Sequence, residues 1–314
     1  MEKKELFTRY SRNPLLNVKD LPYKANSLFN TGATKFNDTT LLLMRVEDRR
    51  GISHLTKAVS SDGITNWKCD EKPTLMPQPD RHPEEFWGIE DPRISYLSEI
   101  RKWAVAYTSF SKAGPLVSIA LTDDFITFER IGIVLPPENK DAAIFPEKVN
   151  GQWAMLHRPV STFPGTGAHI WIAFSDDLIH WGKHKLLLKA REGSWWDAEK
   201  IGASTPPLKT DEGWLILYHG VKRTVSGCIY RLGLALLDLD DPCKVISRGD
   251  EWIFSPEEEY EMIGDVDKVV FPCGWIIEDN EVRLYYGCAD KSISMATAKL
   301  SELLQWVKKY EGRQ

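Results

Sequence analysis

Two hydrophobic patterns alternate along this chain at an interval of about 60 residues. One is an unbroken apolar run that closes on a polar group. It reads Leu41-Leu42-Leu43-Met44-Arg45, Trp103-Ala104-Val105-Ala106-Tyr107-Thr108, Trp153-Ala154-Met155-Leu156-His157-Arg158, Trp214-Leu215-Ile216-Leu217-Tyr218-His219 and Val282-Arg283-Leu284-Tyr285-Tyr286. Runs without polar alternation predict strands covered on both faces. The other pattern is a turn that follows a short strand: Ser61-Asp62-Gly63-Ile64-Thr65-Asn66-Trp67, Thr122-Asp123-Asp124-Phe125-Ile126-Thr127-Phe128 and Ser175-Asp176-Asp177-Leu178-Ile179-His180-Trp181. Its aspartate can bond the turn's own backbone while the closing aromatic packs back on the sheet. Leu237-Asp238-Leu239-Asp240-Asp241-Pro242 is a degraded fourth copy. A period of this length holds about four short strands, one propeller blade. The five apolar runs predict an all-β fold, a five-bladed β-propeller, formed by residues 1–314 as a single domain.

Equivalent strand ends of a propeller converge on its axis, so Arg45, Thr108, Arg158, His219 and Tyr286 are expected to share one cavity, with Asp91 at its rim. After the last period, Leu300, Leu303, Leu304 and Val307 recur at helical spacing. They predict a short C-terminal amphipathic helix over about 300–310, with Ser301 as N-cap. Its simplest use is to cover a blade edge. Its other use, a contact in a homo-oligomer, stays open.

Composition narrows the function classes. A net charge of -5 argues against general nucleic-acid binding, which wants a basic face. No apolar run approaches a membrane span, and the charged N-terminus has no signal-peptide core. The five cysteines are scattered, with no paired spacing, which offers neither a zinc site nor a disulfide framework and fits a cytoplasmic protein with reduced thiols. No metal and no cofactor are expected. The 12 tryptophans are high for this length; such rings bury well and also stack on sugar faces.

The stretch Trp87-Gly88-Ile89-Glu90-Asp91-Pro92-Arg93 sets two acids side by side before a strand. Neighbours on a strand point to opposite faces, so one acid is expected to face a pocket and the other to be structural. Pro92 should hold Asp91 extended. Basic residues gather in Arg45-Val46-Glu47-Asp48-Arg49-Arg50, around Lys200 after Trp195-Trp196, and in His219-Gly220-Val221-Lys222-Arg223 leading to Tyr230-Arg231. Brought together around an axis they describe cations about a small anion, for which phosphate is the natural candidate. An inverting hydrolase needs a second carboxylate to activate water. When phosphate is the nucleophile, the basic cluster takes that place and one acid suffices.

Gly88-Ile89-Glu90-Asp91-Pro92-Arg93, Asn13-Pro14-Leu15-Leu16, Phe29-Asn30-Thr31-Gly32-Ala33, Gly202-Ala203-Ser204-Thr205-Pro206-Pro207 and Tyr218-His219-Gly220 resemble the motifs of glycoside hydrolase family 130, in order from about residue 9 to residue 290. The resemblance implies a five-bladed propeller and inverting β-mannoside phosphorylases that release α-mannose 1-phosphate. It implies Asp91 as proton donor, in several members by relay through a mannose hydroxyl. It implies that Arg50, Arg158, Lys200, His219 and Tyr230 hold phosphate, and that Asn30, Arg45 and Asp290 grip the transferred mannosyl unit. The partners are then a mannoside and inorganic phosphate as co-substrate. The family also contains hydrolases of β-1,2-mannosides that lack most of the phosphate-binding residues, whereas this chain keeps a basic or hydroxyl group at each. Chain length and a compact N-terminus lean toward β-1,4-mannooligosaccharides, with β-1,2-mannobiose and mannosyl-glucose as alternatives. Two other readings remain: a water-using β-mannosidase with its base among Glu47, Asp48, Glu199 and Asp290, and a propeller that binds carbohydrate without catalysis.

Overall fold

The computed structural model describes residues 5–160 and 167–312. Its strands form five antiparallel sheets of four or five strands each. Blade 1 comprises Ser27–Phe36, Thr39–Glu47, Ser53–Ser60 and Lys68–Cys69; blade 2 comprises Ile89–Leu97, Lys102–Ser111, Gly114–Thr122 and Glu129–Leu135. Blade 3 comprises Asn139–Ile144, Trp153–Pro159, Ile170–Ser175 and Gly182–Leu188. Blade 4 is built on Lys200–Ala203, Gly213–Thr224, Gly227–Leu237 and Val245–Arg248, and blade 5 on Val270–Glu278, Glu281–Cys288 and Ser292–Lys299. The ring closes by borrowing from the other end of the chain: Thr8–Arg9 and Leu16–Asn17 pair with Ser292–Lys299 as outer strand of blade 5. The predicted five-bladed propeller is the observed fold.

The predicted apolar runs are the second strand of every blade, and the packing explains why they lack alternation. Five large hydrophobic clusters fill the five gaps between neighbouring blades. Leu41 and Leu43 face blade 2 beside Val105 and Tyr107, while Leu42 and Met44 face blade 5 beside Tyr285 and Met295. Successive residues therefore bury on opposite sides of one sheet. Each such Leu stabilises the ring by about 1.5–3 kcal/mol relative to exposure.

The repeated turns form as read. Oδ1 of Asp62, Asp124, Asp177 and Asp238 each accepts two backbone N–H bonds within its own turn. Hydrogen bonding from these turns holds all four carboxyls below their usual range. The closing indoles of Trp67 and Trp181 donate to Ile64 and Leu178 carbonyls.

The C-terminal helix spans Leu300–Lys308 and buries Leu303 and Val307 against blades 4 and 5. Ser301 is not its N-cap. The helix begins after Lys299, and Asn280 ties down the start by accepting N–H bonds from Leu300 and Ser301.

The strands that line the axis are the first of each blade, not the apolar second strands. In three of them the register slips near the axis, and the residue at the slip has a left-handed backbone: Asn30 (φ 43°), Asp91 (φ 52°) and Asp141 (φ 56°). These are β-bulges, which re-aim side chains and recur beside active sites. A non-glycine residue at positive φ is uncommon, with Asn and Asp the best tolerated. Three blades thus carry the same local device.

Candidate active site

Asp91 shows what a bulge does. Pro92 was expected to keep it extended, and Glu90 was expected to face away. Instead the left-handed turn at Asp91 cancels the strand alternation, and both carboxylates reach one guanidinium. Arg45 Nη1 donates to Asp91 Oδ1 and Nη2 to Glu90 Oε1, both at 3.1 Å. Arg45 Nε is held by Ser53 Oγ at 2.9 Å, so the guanidinium is fixed at all three nitrogens. Asn30 Nδ2 donates to Asp91 Oδ1 at 2.9 Å, and Lys140 Nζ to Glu90 Oε2 at 2.9 Å. Gly287 permits the approach of Asn30, because a Cβ there would lie 2.1 Å from Asn30 Oδ1.

Burial alone would raise the Asp91 carboxyl. The charges of Arg45, Lys140 and Arg93 and the Asn30 amide outweigh it, and Asp91 lies below the usual carboxylate range. Asp290 joins this group from the turn between the second and third strands of blade 5. Burial, together with the negative charges of Asp91, Glu90 and Asp265, lifts its carboxyl to about 7 against the pull of Arg45.

A second group lies across the axis. Its centre is Asp141, which accepts from Arg93 Nη2 at 3.2 Å and from Arg158 Nε at 2.6 Å, with His219 Nε2 at 3.5 Å. Gly202 lets Asp141 and His219 lie side by side, since a Cβ would stand 2.2 Å from Asp141 Oδ2 and 2.6 Å from His219 Cε1. Burial pushes His219 down to about 3, and Arg158, Arg93 and Lys200 add to the effect that Asp141 opposes. His219 is therefore neutral at ordinary pH, and its contact with Asp141 is a hydrogen bond at most rather than an ion pair. Tyr230 and Phe271 lie tilted against its ring at centroid distances of 6.1 and 4.6 Å. Lys200 Nζ stands 5.4 Å over the Tyr230 ring and forms no ion pair with a described residue.

Arg93 links the two groups. It is fully buried, donates to the Asp91, Ala203 and Ser204 carbonyls, and pairs with Asp141, so it ties blades 2, 3 and 4 at the axis.

The fold thus gathers Asn30, Arg45, Asp91 and Asp290 on one side and Arg158, Lys200, His219 and Tyr230 on the other. Arg50 is not brought in. It sits in the exposed loop between the second and third strands of blade 1 with its side chain 72% accessible, paired to Asp48 at 2.7 Å. One of the five strand ends goes elsewhere, as Tyr286 Oη donates to buried Glu261, while Thr108 lies on the second strand of blade 2 in register with Glu90. Sequence reading missed Lys140, Asp141 and the inward turn of Glu90. A signal existed, because Asp141 precedes Arg158 by the same interval as Asp91 precedes Thr108.

Comparison with known proteins agrees with this geometry. A family model for glycoside hydrolase family 130, described as β-1,4-mannooligosaccharide phosphorylase, matches residues 2–309. A 1,2-β-oligomannan phosphorylase of Thermoanaerobacter sp. is 38% identical over 94% of this chain and 98% of its own length. A β-1,4-mannooligosaccharide phosphorylase of Ruminococcus albus is 32% identical over 98% of this chain and 93% of its own. The solved β-1,2-mannobiose phosphorylase of Listeria innocua, in complex with β-1,2-mannobiose, superposes with a TM-score of 0.88 at 32% identity, covering 96% of this chain and 99% of that one. By sequence and by fold, this chain belongs to glycoside hydrolase family 130.

Proposed function

We propose that this enzyme catalyses inverting phosphorolysis of β-mannosides, most closely β-1,4-mannooligosaccharides, to α-mannose 1-phosphate. The observation that carries the reading is the division of the axial site into an acid-bearing side and a cationic side. Asn30, Arg45 and Asp290 hold the mannosyl unit, and Asp91 serves as general acid toward the leaving oxygen. Arg158, Lys200, His219 and Tyr230 receive phosphate. Lys200 pairs with no carboxylate among the described residues and is available to an anion, while neutral His219 and the Tyr230 hydroxyl can donate hydrogen bonds to it.

The step balances with monohydrogen phosphate. A phosphate oxygen forms a bond to the anomeric carbon as the bond to the leaving oxygen breaks. The proton that phosphate gives up replaces the one delivered to the leaving group through Asp91. An incoming anion also opposes the field that depresses the Asp91 carboxyl, so phosphate binding itself raises the acid toward a proton-carrying state. No metal or cofactor enters this scheme. The unpaired state of all five cysteines supports a reducing, cytoplasmic setting.

The relatives act on β-1,2 as well as β-1,4 linkages by their names, so acceptor and linkage need a panel. Purified enzyme is offered β-1,4-mannobiose, β-1,4-mannotriose, β-1,2-mannobiose and mannosyl-glucose, each with and without phosphate. Phosphate-dependent mannose 1-phosphate, fastest from the β-1,4-mannotriose, is expected. Equal release of free mannose with and without phosphate overturns the reading. One observation favours hydrolysis as the second reading: Asp290, near 7, has the proton affinity of a general base for water. Asp48 and Glu199 are weaker bases for that purpose, as Arg50 and Arg223 stabilise their charged forms.

A further inference from the structure

The hairpin formed by Gly213–Thr224 and Gly227–Leu237 in blade 4 has two faces near its tip, and the axial site uses one of them. Tyr230 lies opposite Val221 in register and looks toward His219 from that face. Side chains alternate along a strand, so Lys222, Ile229 and Arg231 point the other way. They floor a second cleft of about 600 Å³, within the range of small-molecule sites, and none of the axial residues lines it. Its walls are Ser194-Trp195-Trp196 on one side and Asp250-Glu251-Trp252 on the other.

Both walls are tied down. Trp196 is buried against the hairpin, where a Cβ at Gly220 or Gly233 would stand 2.5 or 2.7 Å from its ring. Its Nε1 donates to the Asp250 carbonyl at 2.9 Å, which joins one wall to the other. Lys222 Nζ donates to the Ser194 carbonyl at 2.9 Å. Trp195 is thereby held at the rim, 43% exposed, with the Arg191 guanidinium 4.5 Å from its ring centroid. The Arg231 guanidinium stands 4.2 Å over the Trp252 ring, and its Nε donates to Ser255 Oγ at 3.2 Å.

The charges of the cleft cancel. Asp250 is taken by Arg191 at 2.9 Å. Lys222 and Arg231 pair with no described carboxylate, and Glu192 and Glu251 pair with no described cation, so donors and acceptors of both signs remain for a ligand. Groups of zero net charge beside two indoles match a neutral polyol. Sugar hydroxyls bond to either sign, and the C–H face of a pyranose packs on an aromatic ring. Inorganic phosphate would meet the repulsion of Glu192 and Glu251. A purely apolar partner would bury the four charged groups without compensation.

We propose that this cleft is a second carbohydrate-binding site, which holds a neutral oligosaccharide of the β-mannoside class away from the reaction centre. Trp195 and Trp252 supply stacking surface, Lys222 and Arg231 the donors, and Glu192 and Glu251 the acceptors. The site takes no part in bond cleavage, and it holds whether the axial site uses phosphate or water.

The test is NMR of the tryptophan indole N–H groups in Asp91→Asn enzyme, with β-1,4- and β-1,2-mannotetraose as probes in phosphate-free buffer. The Trp195 and Trp252 signals are identified by their loss in Trp195→Ala and Trp252→Phe. Both should shift saturably with at least one tetraose, and inorganic phosphate alone should leave them in place. Trp195 is exposed, so Trp195→Ala should fold normally, and it should weaken the sugar dependence read at Trp252 about tenfold. A Trp252 shift whose sugar dependence is unchanged in Trp195→Ala originates at the axial site and overturns the proposal. So does the absence of any shift, or a response to phosphate as strong as that to sugar. A shift that follows protein concentration marks a contact between copies of the chain and overturns it too. Phosphate-dependent turnover by wild-type enzyme alongside any of these failures leaves the proposed function standing.

Discussion

The two sides of the axial site use the same residue types to opposite ends. Around Arg45 the carboxyls are in excess, two of them on one guanidinium, with Asp290 beside them. Around Asp141 the cations are in excess, with Arg93 and Arg158 on one carboxylate and Lys200, which pairs with no described carboxylate, close by. A sugar offers hydroxyls, which acceptors and donors can both engage. A phosphate offers only negative charge and acceptor oxygens, which suits surplus cations. The difference teaches that the proposed division between sugar and phosphate rests on the sign of the local excess more than on the presence of any one residue.

The contrast can be broken from either side. The largest effect is expected at Asp91. Replacing it with asparagine should lower kcat for mannosides by about 10²–10⁴-fold, the usual contribution of a general acid. Mannoside affinity by calorimetry should survive. Lost affinity with intact turnover would remove Asp91 from its assigned role.

Next comes Asp141. Asp141→Ala leaves two buried guanidinium groups facing each other without their anion, and breaking such a pairing costs about 3–5 kcal/mol. Denaturant unfolding should show that loss, with added phosphate restoring part of it. A change under about 1 kcal/mol would mean that Asp141 is not the electrostatic centre of the cationic side.

Lys200→Ala should raise KM for phosphate by about 10–100-fold, the worth of a hydrogen bond to a charged group. KM for the mannoside should move little. Equal changes in both would erase the division between the sides. The smallest effect is expected at Arg50, which is exposed and tied to Asp48; Arg50→Ala should change stability by less than about 0.5 kcal/mol and leave phosphate KM within twofold. A large rise in phosphate KM would return Arg50 to the site that the family resemblance gave it.

The scaffold was legible because its signals are local. Apolar runs such as Leu41–Met44 report burial on both faces, and turns such as Asp177-Leu178-Ile179-His180 carry their hydrogen bonds within a few residues. The site was legible only in part. Asn30, Asp91, Arg158 and His219 were found through motifs, yet the rule of strand alternation placed Glu90 on the wrong side. That rule fails at a bulge, and whether Asp91 turns left-handed depends on what Arg45 and Asn30 offer from another blade. Lys140 and Asp141 went unnoticed because their partners, Glu90, Arg93 and Arg158, are distant in sequence. The helix start was misassigned for a similar reason: Asn280, in the hairpin turn of blade 5, does the work that Ser301 was expected to do.

The most direct test of a phosphate nucleophile opposite a mannosyl site is an isotope experiment. The enzyme is run on the best mannoside of the panel with phosphate labelled in every oxygen with 18O, and products are read by phosphorus NMR and mass spectrometry. The account predicts α-mannose 1-phosphate with labelled oxygen bridging the anomeric carbon and phosphorus. Free mannose carrying oxygen from water, with no labelled ester, would contradict it.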